Sequence, residues 1–92
     1  MTSYSEPVPA RPTADASRVE ITVDARQLPC PQPLLLMRRA LREQPAGTLV
    51  EVLATDPGSW HDFHSFARLS GTRLLRAEER EDHYCYWLIA GH

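Results

Sequence analysis

The sequence has no lysine. All ten of its basic residues are arginine, which excludes Schiff-base chemistry on a lysine amine. Cysteine is nearly as scarce. Two cysteines, Cys30 and Cys85, are too few for a disulfide framework and too far apart to suggest a metal knuckle. In a reducing compartment such thiols are kept for chemistry or for packing. There is no run of about 18 apolar residues, so no transmembrane helix is expected. The N-terminus lacks the basic start and apolar stretch of a secretory signal, and a cytoplasmic location is the default expectation. Positive charge is not in excess. A formal net charge of −2 argues against broad binding to a phosphate backbone.

What is present suits one small folded unit. At 92 residues the chain has room for a single domain. It is longer than the ~70–80 residues below which small scaffolds need staples. A composition of 42% hydrophobic and 24% charged residues is ordinary for a globular protein. Residues 1–18 are rich in Pro, Ser, Thr and Ala without apolar periodicity, and are expected to form a disordered tail ahead of a domain spanning 19–92. Val19, Ile21 and Val23 alternate with Glu20, Thr22 and Asp24, the pattern of a half-buried strand. The turn-like segment Ala25 to Pro29 then leads into Cys30-Pro31-Gln32-Pro33 and a helical run to about Glu43, which Pro45-Ala46-Gly47 breaks.

Leu49 to Ala54 is apolar except for Glu51 and is predicted to be a central strand. Asp56 and Pro57 read as the N-cap and first position of a second helix, with Trp60, Phe63, Phe66 and Ala67 on one face and Gly71 at its stop. Two strands close the chain, Thr72 to about Glu79 and Tyr84 to Ile89, joined by the charged turn Arg80-Glu81-Asp82. The order βαβαββ is met most simply by an α+β two-layer sandwich, with two helices on one face of a four-stranded mixed sheet.

The chemistry concentrates at Cys30. Proline is favoured at the first helical position, so Pro31 is predicted to occupy it, with Cys30 as N-cap and Pro33 also in the first turn. The N–H groups of Gln32 and Leu34 are then expected near the sulfur. A helix N-terminus carries the equivalent of about +0.5 charge, so a thiolate or persulfide anion is stabilised there and a lowered thiol pKa is expected. The prolines stiffen the turn and hold the sulfur outward, as an exposed nucleophile. A buried cysteine that merely packs is the plainer alternative.

At these residues the sequence resembles the TusA (SirA/YedF-like) sulfur-carrier family, whose signature is C-P-x-P at the start of the first helix. The likeness runs over roughly residues 19 to 90. It takes in Asp24, Leu28, the stretch Gly47-Thr48-Leu49-Val50 leading into the second strand, Asp56-Pro57, Asp62 and Gly71. The resemblance implies a βαβαββ sandwich whose cysteine accepts sulfane sulfur as a persulfide from a cysteine desulfurase or rhodanese. The sulfur then passes to an acceptor protein of a sulfur relay, for tRNA thiolation, sulfur oxidation or molybdenum-cofactor assembly. It implies no metal and no organic cofactor. Gln27 stands where many members have glycine, so the turn before Cys30 is not expected to take the positive φ that glycine allows. Pro29 stiffens the approach further.

On a helical projection Leu34, Leu36, Met37, Ala40 and Leu41 face the core, and Arg38, Arg39, Arg42 and Glu43 face away. Leu35 falls among the arginines, one turn from Cys30. An apolar anchor ringed by arginine has the make-up of a docking site; a solvated face with one stray leucine is equally consistent. His61, His64 and Arg68 form an outer stripe on the second helix, without a third metal ligand. Cys85 shares a strand face with Trp87 and Ile89 and is expected to be a small buried residue. It pairs with Cys30 only if the fold joins them. Glu78, Glu79, Glu81 and Asp82 read as solvating charge. The leading expectation is a monomeric sulfurtransferase with Cys30 as nucleophile, Pro31, Gln32, Pro33 and Leu34 as support, and no direct contact with nucleic acid or membrane. An RNA-binding module or a regulatory interaction domain on the same fold is the competing reading.

Overall fold

The structure, a computed structural model, describes residues 19–91. The tail expected over 1–18 lies outside the described residues, as does His92. Strand β1 (Ile21–Ala25) alternates half-buried and exposed residues until Ala25, which is buried. Helix α1 (Gln32–Glu43) returns the chain to strand β2 (Leu49–Ala54), which pairs parallel to β1 with Ile21 opposite Val50 and Ala25 opposite Ala54. Helix α2 (Gly58–Ser70) is followed by strands β3 (Arg73–Glu79) and β4 (Tyr84–Ile89), paired antiparallel with a register shift between Leu74 and Arg76. Strand β4 also pairs antiparallel with β2, so the sheet order is β1-β2-β4-β3 and β2 is central as predicted.

Alternation along the strands sends successive side chains to opposite faces. Val50, Val52, Ala54, Tyr86 and Leu88 meet Met37, Ala40 and Leu41 of α1 and Phe63 of α2 in the main core. Full burial of a Val, Leu, Met or Phe side chain contributes about 1.5–3 kcal/mol. The other face is not bare. Leu49, Cys85 and Trp87 form a second buried cluster, flanked by Val19, Leu53, Leu75 and Ile89.

The helix ends explain where the chain turns. Pro57 already has helical dihedrals (φ −60, ψ −29), and the Asp56 carboxylate accepts the Gly58 N–H at 2.9 Å, so Asp56 caps α2 as read from the sequence. Gly71 takes φ 78 and its N–H donates to the Ala67 carbonyl, the left-handed stop that favours glycine. Trp60 keeps to the predicted face, its ring 5.9 Å from that of Tyr84 and 6.1 Å from that of Tyr86, but it lies at the edge and is 38% exposed, while Phe63 is fully buried. Among the described residues no helix is long and apolar enough to cross a membrane.

Candidate active site around Cys30

The segment before Cys30 is pinned on both sides. Asp24 accepts the Arg26 backbone N–H at 3.1 Å and two guanidinium N–H groups at 2.9 Å each. Those bonds hold the Asp24 carboxyl down at about 2. The Leu28 N–H closes a turn onto the Ala25 carbonyl, and the Gln27 N–H reaches Thr55 Oγ1 at 2.9 Å, tying the turn to the end of β2. Within that turn Gln27 adopts φ 71. The expectation that glutamine would depart from the glycine conformation is therefore wrong. The Thr55 bond holds an exposed residue where glycine would sit without steric cost.

A second correction concerns the start of α1. Pro31 has φ −101 and ψ 20, outside the helical well, and is itself the N-cap; Gln32 opens the helix and Pro33 follows. Cys30 thus precedes the cap by one residue. The Gln32 N–H donates to the Pro29 carbonyl at 2.8 Å, and Leu35 N–H to the Pro31 carbonyl at 3.1 Å. The Gln32 donor expected to serve the sulfur is committed to the backbone instead.

The sulfur turns to the second helix. Cys30 is exposed, and its Sγ donates to Asp62 Oδ2 at 3.0 Å. Gly58 lies beneath it: a Cβ there would stand 3.6 Å from Sγ and only 2.9 Å from Asp56 Oδ2. Bare backbone at the head of α2 thus makes room for both the sulfur and the capping carboxylate. The hydrogen bond to Asp62 pushes the thiol pKa up, helped by partial desolvation and by the negative charges of Asp62 and Asp56. This reverses the lowered pKa expected from the helix terminus. The α1 dipole acts on a cysteine one residue outside the cap, while a full carboxylate charge stands at hydrogen-bond distance.

Asp62 is itself well placed by the core. Its neighbour Phe63 is fully buried and stacks on Tyr86 with centroids 4.2 Å apart. One turn earlier Ser59 Oγ and Tyr86 Oη share a buried 2.8 Å hydrogen bond. The sequence offers Asp62 only as part of the family resemblance. Its spacing of four from Gly58, which stacks it over the head of the same helix, was the available signal.

Of the supporting residues, Pro33 is buried, Leu34 half-buried and Gln32 exposed. The stripe of Leu35, Arg38, Arg39 and Arg42 is exposed, with Leu35 at 47%. Its arginines are partly engaged. Arg39 pairs with Glu43 at 3.2 Å, and Arg38 lies 5.8 Å from the centre of the Phe66 ring. Arg38 and Arg42 border a cavity of about 170 Å³ between the helices, floored by Leu41 and Phe66.

The second thiol lies elsewhere. Cys85 is fully buried on the sheet face away from the helices and donates to Glu51 Oε2 at 3.3 Å. Burial first, then Glu51, pushes its pKa up to about 11. The two cysteines are free and do not meet. His61 and His64 bond within their own helix, to Ser65 Oγ and to the Trp60 carbonyl. Among the described residues, no three His, Cys, Asp or Glu side chains are grouped as a metal site would need.

The family profile for sulfurtransferase TusA matches residues 21–89, from the first residue of β1 to the last of β4. The chain belongs to the TusA family. A role in carrying sulfur follows from that membership. The sulfur carrier protein TusA of Pseudomonas entomophila is 36% identical over 69 residues, 75% of this chain and 86% of that protein. That of Pseudomonas syringae pv. syringae is 34% identical over 70 residues, 76% of this chain and 83% of the relative. Among solved structures, a SirA-like protein from Desulfitobacterium hafniense superposes with a TM-score of 0.68 at 27% identity, covering 79% of this chain and all of that one. The α+β sandwich expected for a TusA-like chain is thus the fold observed.

Proposed function

We propose that Cys30 is the residue on which this TusA-family chain bears sulfur. It takes sulfane sulfur as a persulfide from a donor of cysteine desulfurase or rhodanese type and passes it to an acceptor protein. The observation that carries the reading is an exposed Sγ, set by the Pro29-Cys30-Pro31 turn at the junction of the two helix heads. A partner's thiol can reach such a sulfur; it cannot reach one buried in the sheet. The chain supplies a nucleophile and a shaped approach, so it acts as a sulfurtransferase together with its partners' sites. Such a relay operates in the cytoplasm and ends in tRNA thiolation or another sulfur-using pathway.

The partner covers the surface beside Cys30. Leu35 is an exposed apolar side chain in the first turn of α1, with Arg38, Arg39 and Arg42 continuing its stripe. Truncating an interface anchor typically costs ~2 kcal/mol or more, whereas a rim charge mainly alters the on-rate. Leu35→Ala should therefore speed dissociation from the acceptor, and Arg39→Glu should slow association most at low salt. Surface plasmon resonance reads both, and wild-type kinetics in each variant would place the partner elsewhere.

Loading itself is tested by intact mass. After incubation with a cysteine desulfurase and cysteine, the protein should gain one sulfur atom that reductant removes. The gain should vanish in Cys30→Ser and persist in Cys85→Ser. A Cys30→Ser protein that still loads contradicts the reading.

A further inference from the structure

Asp62 has no part in the relay as set out so far, yet its carboxylate accepts the Cys30 S–H at 3.0 Å. It is held there by Phe63 and Ser59, both anchored on Tyr86. The other group that acts on the thiol through its charge is Asp56, also a carboxylate. The nearby turn contributes one cation, Arg26, and Asp24 engages it through two guanidinium bonds. The side-chain charges that act on Cys30 are therefore negative, an unusual setting for a residue that would bear an anion. A persulfide is a stronger acid than its parent thiol, so the loaded form is negative at neutral pH. It has no proton to offer Asp62.

We propose that Asp62 biases Cys30 toward giving sulfur away: its carboxylate stabilises the emptied thiol by accepting its S–H and disfavours the loaded persulfide anion. The inference rests on the carrier reading and adds the direction of the relay. The exchange it acts on is Cys30–S–S⁻ + R–SH → Cys30–SH + R–S–S⁻. The acceptor thiol gives up its proton and its sulfur bonds to the outer sulfur. The Sγ–S bond breaks with its electron pair on Sγ, and Sγ takes up one proton. The charge leaves on the new persulfide, and no outside oxidant or reductant is needed. Asp62 acts on both sides: its charge opposes the loaded anion, and the new S–H closes onto Oδ2 once the sulfur has left.

Wild type and Asp62→Asn are to be loaded with glutathione persulfide and equilibrated against graded ratios of glutathione to glutathione persulfide. The loaded fraction is then read by intact mass. Asn keeps the shape and removes the charge, so it should retain sulfur about tenfold more strongly, the worth of one hydrogen bond to a charged group. The pH profile of Cys30 alkylation by iodoacetamide in the empty protein should move down by about one unit, the same factor seen from the thiol side. A merely structural role for Asp62 would not move that profile. Asp62→Ser, which shortens the side chain, should act in the same direction. Equal partition in wild type and both variants, with loading intact, overturns the Asp62 inference and leaves the carrier reading standing. Failure of wild type to load at all overturns both.

Discussion

Both cysteines of this chain donate a hydrogen bond to a carboxylate, and the two sites otherwise share little. Cys30 lies on an exposed turn, with Asp62 reached across a gap between two helix heads. Cys85 lies in a strand paired on both sides, fully buried, on a Glu51 that also accepts Trp87 Nε1–H at 3.1 Å and Thr22 Oγ1–H at 3.0 Å. The thiol of each is raised, but for different leading reasons: the hydrogen bond at Cys30, burial at Cys85. A carboxylate partner therefore does not by itself set the two thiols apart. Access does, together with a local backbone that departs from regular structure.

If that contrast is right, removing the two carboxylates should have unequal effects on stability. Glu51→Ala leaves the buried Cys85 S–H and Trp87 N–H without an acceptor and should cost about 2 kcal/mol, the penalty for unpaired buried donors. Asp62→Ala leaves an already exposed thiol to bond water and should cost about 1 kcal/mol, less than the Glu51 variant. Urea unfolding of both variants measures the difference, and equal losses would erase the distinction between the sites.

The sequence made the sandwich legible because its signals were local and mutually consistent. The alternation at Ile21 and Val23, the apolar run Leu49 to Ala54, the Asp56-Pro57 cap and the Gly71 stop each found their place in the structure. The exposed Cys30 and the stripe from Leu35 to Arg42 were also readable, since helical spacing determines a face. The electrostatics of the sulfur were not. They depend on Asp62, 32 positions away, and on a helix start that falls one residue later than the prolines suggested. The positive φ at Gln27 was likewise hidden, because a side chain tolerated there by a tertiary bond to Thr55 carries no local signature.

A smaller effect concerns pH. Cys85 binds its proton more tightly folded (about 11) than unfolded (ordinary value 9.0). Between those values the unfolded chain holds fewer protons than the native one, so stability must fall as pH rises. Cys30 contributes with the same sign, and Tyr86, raised to about 12, continues the decline above pH 10. Chemical denaturation from pH 8 to 10 should show the slope, flattened in Cys85→Ala more than in Cys30→Ala. A larger flattening in the Cys30 variant would reverse the assignment of which thiol is buried.

The smallest effect probes the strained side of the comparison. Gln27→Gly should relieve the left-handed backbone, worth roughly 1–2 kcal/mol, against the greater entropy glycine loses on folding. A net gain of about 0.5 kcal/mol in unfolding free energy is expected, with loading of Cys30 unchanged. A loss of stability would mean that the Gln27 side chain makes a contribution beyond its backbone bond to Thr55.

The central claim is that sulfur rides on Cys30 and nowhere else in this chain. Its most direct test is peptide mapping by tandem mass spectrometry of the desulfurase-loaded wild-type protein, alkylated under native conditions before digestion. The account predicts the added sulfur on the peptide containing Cys30, and Cys85 unmodified until the chain is unfolded. Sulfur recovered on the Cys85 peptide would contradict it.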